Sequence, residues 1–62
     1  MSNSIYSRLN PYTIFTGNKK DVKECMEQTG GWIFYEGIAY DIKTNHLGAG
    51  VYNIWLERKK IK

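Results

Sequence analysis

Sixty-two residues with a formal net charge of +3 make one domain with no room for a second core. Cys25 is the only cysteine and His46 the only histidine, which excludes an internal disulfide and a Cys/His zinc cluster. Apolar runs reach only about four residues, far short of a membrane span. Met1-Ser2-Asn3-Ser4 has neither the positive start nor the following apolar stretch of a secretory signal. With one unpaired cysteine the expected compartment is the reducing cytoplasm.

The energetic balance of such a chain is narrow. Size scaling gives an unfolded surface of roughly 10,000 Å² and a folded one of about 4,100 Å². If about 60% of the difference is apolar, its burial is worth on the order of 90 kcal/mol. Ordering the chain costs about the same, at roughly 1.5 kcal/mol per residue. A sum near zero predicts that self-association or a tight partner supplements the fold.

Residues 1–11 begin polar and include the short pattern Ile5-Tyr6-Ser7-Arg8-Leu9, a place for an extra strand. Asn10-Pro11 breaks the chain, because proline pushes the residue before it out of the helical region. Tyr12-Thr13-Ile14-Phe15-Thr16, β-branched and aromatic, predicts the first strand, closed by Gly17. Asn18 is a good N-cap with Asp21 at N3, and Lys19–Thr29 carries Val22, Cys25 and Met26 at i, i+3 and i+4. That is one narrow stripe of a short amphipathic helix. Lys20 and Lys23 stand four residues before Glu24 and Glu27 on its outward side, and Gly30-Gly31 supplies the stop.

Strand signals follow. Trp32-Ile33-Phe34-Tyr35 is a continuous apolar run suited to a central strand buried on both faces. Glu36-Gly37 permits a tight turn or a bulge, leaving residues 32–43 as either a hairpin or one bent strand. Ile38, Tyr40 and Ile42 alternate with Ala39, Asp41 and Lys43 in the period of a half-buried strand. Thr44–Gly50 reads as a loop rich in turn formers. Val51–Arg58 is the last strand, with Tyr52, Ile54 and Leu56 on one face and Val51, Asn53, Trp55 and Glu57 on the other. Residues 58–62 form a basic tail. The order is β-α-β-β: an α+β fold with one short helix on one face of a three- to four-stranded antiparallel sheet. The opposite sheet face is left with little to cover it, which makes it a place for a partner.

Catalytic constellations are weak. The Gly48-x-Gly50 pair precedes a strand, whereas a phosphate-cradling loop opens a helix. Cys25 lies on the apolar stripe, where a cysteine packs as a small hydrophobe rather than acting as a nucleophile. Glu36 and Asp41 flank a strand without being fixed toward a common site. The reading is of a protein that is not an enzyme and takes no cofactor or metal. What stands out is two tryptophans, five tyrosines and two phenylalanines, more ring than so small a core can enclose. Tyrosine and tryptophan are enriched at interface hot spots. The expected binding residues are Tyr35, Tyr40, Tyr52 and Trp55 on the sheet and Arg58, Lys59, Lys60 and Lys62 in the tail.

No ribonucleoprotein motif, helix-turn-helix or zinc module is present. A chain this small, without catalytic residues and rich in Lys, Asn, Ile and Tyr, resembles in size and composition the accessory proteins of phages and other mobile elements. That resemblance implies a module that binds and inhibits or redirects a host protein in the host cytoplasm. Its expected partner is a protein with an acidic surface, toward which the tail steers it. Binding of DNA or RNA through the same tail and rings is the alternative. No membrane contact is expected, and self-association into a homo-oligomer is.

Overall fold

A computed structural model describes residues 5–59. Its elements run as a short 3-10 helix over Ile5–Arg8, β1 over Phe15–Asn18, α1 over Lys19–Thr29, β2 over Trp32–Tyr35, β3 over Ile38–Gly48 and β4 over Val51–Arg58. One helix packs on a four-stranded antiparallel sheet of order β1-β4-β3-β2, which is the expected α+β class. The described residues include no helix long and apolar enough to cross a membrane.

Local chemistry explains α1 at both ends. The Asn18 side chain accepts from the Asp21 N–H at 2.9 Å, and the Asn18 N–H donates to Asp21 Oδ2 at 3.0 Å. This reciprocal capping box satisfies two donors at once. At the other end Gly30 takes a left-handed φ of 74° and its N–H donates to Met26 O at 2.8 Å. The Thr29 hydroxyl adds a bond to Cys25 O at 2.6 Å. The apolar stripe faces inward, with Cys25 only 1% exposed.

Several expectations need correction. The first strand starts at Phe15, not Tyr12: the Tyr12 N–H donates to Asn10 Oδ1 in a tight turn, so Tyr12 and Ile14 stand exposed. Gly17 lies inside β1, paired with Tyr52, and Ile5 and Asp21 approach so closely that a Cβ there would meet their side chains within 3 Å. Ile5–Arg8 form a helical turn, not a strand, which places Ile5, and Leu9 just after it, in the core. Residues 32–43 form a hairpin, turning at Glu36 and Gly37, whose φ of 52° and 83° match a type I′ turn. The described chain thus reads β-α-β-β-β.

β2 is an edge strand rather than a central one, and its outward residues Trp32 and Phe34 are exposed. Thr44–Gly48 is strand rather than loop. Pairing of Thr44, Asn45 and His46 with Ile54, Asn53 and Tyr52 overrides their turn-forming character. The turn shrinks to Ala49-Gly50, and Leu47 is the extra residue of a bulge between His46 and Gly48.

The core lies between α1, the 3-10 helix and one sheet face. Ile5, Leu9, Cys25, Ile42, Ile54 and Leu56 are buried there, flanked by Tyr6, Phe15, Val22, Met26, Ile33 and Tyr40. Alternation along the strands sends Ala39, Asp41, Lys43, Trp55 and Glu57 to the opposite, outer face.

Candidate binding surface at one end of the sheet

The Glu36-Gly37 turn folds β2 back on β3, and the antiparallel register then sets β4's last residue beside the same hairpin. Tyr40 pairs with Arg58 across β3 and β4. The Tyr35 and Tyr40 rings meet edge to face, with centroids 6.5 Å apart. Tyr12, 78% exposed, extends the series by an edge contact to Tyr35 at 6.2 Å. Three tyrosines and an arginine therefore gather where the chain leaves β4. Partial burial, then the neighbouring Glu36 carboxylate and the phenol groups of Tyr12 and Tyr40, push the Tyr35 hydroxyl above its ordinary range. It remains a neutral donor and acceptor at physiological pH.

Lys59 is tied into the sheet: its N–H donates to Ala39 O at 3.1 Å and its ammonium pairs with Asp41 at 3.1 Å. Asp41 stands directly opposite Glu57, and Lys43 reaches Glu57 at 3.8 Å. These exposed pairs add little stability, but they neutralise two carboxylates that face each other. Arg58 is exposed and has no ion pair among the described residues. Lys60 and Lys62 lie outside the described residues.

The expected binding residues divide three ways. Tyr35, Tyr40, Arg58 and Lys59 come together at this end. Tyr52 sits at the far end, stacked on His46 at 4.6 Å. Trp55 lies on the outer face opposite Lys43. Reasoning from sequence missed Tyr12, by placing it within a strand, and Trp32 and Phe34, by placing them in a central one. The short span between Gly31 and the Glu36-Gly37 turn was the available signal, since edge strands are characteristically short.

Elsewhere, a shallow open groove runs along the solvent side of α1, lined by Lys20, Lys23, Glu24, Glu27 and Gln28 from that helix alone. Burial, then the charges of Asp21 and Glu24, raise the Cys25 thiol pKa, which opposes formation of a thiolate. No family model matches the chain, and neither does any curated protein or solved structure.

Proposed function

We propose that this chain is a non-enzymatic protein-binding module of the cytoplasm. It would act as an inhibitor or modulator of a host protein, in the manner of phage and mobile-element accessory proteins. The observation that carries the reading is the series Tyr12, Tyr35 and Tyr40 beside Arg58 at one end of the sheet. Tyrosine and arginine dominate interface hot spots because each offers wide contact area with a polar tip. The Lys and Arg concentration at 58–62 supports a partner with an acidic surface, mainly by speeding encounter.

A pull-down from host lysate, with and without nuclease, tests this. A protein should be retained in both arms, and Tyr12→Ala should weaken its binding by about 2 kcal/mol. Tyr12 is exposed, so that variant leaves the fold intact. Replacing Lys59, Lys60 and Lys62 by Gln should slow association several-fold and hardly alter dissociation. Recovery of nucleic acid alone, with affinity falling steeply in salt, would replace the protein partner with DNA or RNA.

A further inference from the structure

β2 covers one side of β3 only from Ile38 to Asp41, and the Ile42 N–H then donates to Gly31 O at 2.9 Å. Beyond that point Lys43–Gly48 runs on for roughly 20 Å, at about 3.4 Å per residue, with β4 on one side and no described element on the other. In an antiparallel ladder the N–H and C=O of successive residues alternate between the two sides. Ile42 turns to the β2 side, so Thr44 and His46 do too, while Lys43 and Asn45 turn to β4. The Thr44 and His46 N–H groups and the Ile42 and Thr44 carbonyls therefore aim off this open edge. None of them has a hydrogen-bond partner among the described residues. The Gly31 N–H, which would close the pair with Ile42 O, goes instead to Thr29 Oγ1 at 3.1 Å.

Backbone and charge together name what fits there. Alternating donors and acceptors are complementary to the backbone of an extended strand, and strand addition to an open edge is a recurrent mode of peptide recognition. The side chains set the sign of its charge. No carboxylate occurs between Asp41 and Glu57, and those two are paired with Lys59 and Lys43. Lys43 and His46 stand exposed on the edge, within a chain of net charge +3. A second copy is a poor occupant, because two such edges paired about a twofold axis would set β2 of each copy against the Ala49-Gly50 turn of the other. We infer that an acidic, extended segment of a partner protein binds here as a fifth strand beside Lys43–Gly48. Its backbone bonds to Thr44 and His46, and a carboxylate on the residue facing Lys43 takes the Lys43 ammonium. This edge lies at the turn end of β3, away from the tyrosines, so it goes beyond the surface proposed above and does not depend on it.

The probe is a short synthetic peptide alternating valine with glutamate, with its valine–lysine counterpart as control. At millimolar peptide, amide exchange read by NMR should slow at least about tenfold at Thr44 and His46. Lys43 and Asn45 should change little, since their N–H groups already face β4. The lysine peptide should bind at least about tenfold more weakly. N-methylation of Thr44, introduced by chemical synthesis and checked for folding by circular dichroism, should abolish the protection at His46. Tyr12→Ala should leave that protection unchanged, which separates this edge from the tyrosine end. Unprotected Thr44 and His46 amides at saturating solubility of the peptide would overturn the inference, as would equal slowing at Lys43 and Asn45. Equal binding of the lysine peptide would overturn its acidic character. Protection of the same two amides in concentrated protein alone, lost on dilution, would give the edge to a second copy and overturn the peptide assignment.

Discussion

The two faces of one sheet differ more than their residues do. Along β4, Ile54 is fully buried and Leu56 nearly so, while Trp55 between them points to the other side. On β2, Ile33 packs toward the core and Phe34 stands 66% exposed. All of these residues are apolar. What separates them is that α1 and the 3-10 helix cover one face and no described element covers the other. Side-chain hydrophobicity thus states an ability to be buried, and the layer above a strand decides whether that ability is used for folding or left for association.

Substitutions that set one face against the other sharpen this contrast. The largest effect is expected from Ile54→Ala, which empties a fully enclosed site and should cost about 3 kcal/mol. In a domain of narrow stability, urea titration should find that variant largely unfolded. Gly17→Ala comes next, because its Cβ would meet Asp21 Oδ2 at 2.7 Å and Ile5 Cδ1 at 2.9 Å. About 2 kcal/mol is expected, read as an earlier urea midpoint. Phe34→Ala belongs to the outer face and should change monomer stability by no more than about 0.5 kcal/mol. A midpoint loss for Phe34→Ala as large as that for Ile54→Ala would mean that the two faces are equally part of the core.

The exposed surfaces were only partly legible in the chain. The pairing of Tyr40 with Arg58 depends on residues 18 positions apart, and no local pattern states that register. Trp55 could be assigned to the face opposite Tyr52 by alternation alone, and it lies there. Its companions Trp32 and Phe34 could not, since a four-residue apolar run reads the same in a central strand as at an edge.

By itself the sequence determined the helix, with its caps at Asn18 and Gly30, and the sidedness of β4. These rest on contacts within about four residues, where capping and periodicity act without help from the rest of the fold. Only the tertiary structure decided that Thr44–Gly48 is strand, that residues 5–9 supply two core side chains, and that β2 closes the sheet as an edge. Those outcomes depend on pairing and burial between distant segments. Their free energy appears only once β4 and the core are already in place to receive them.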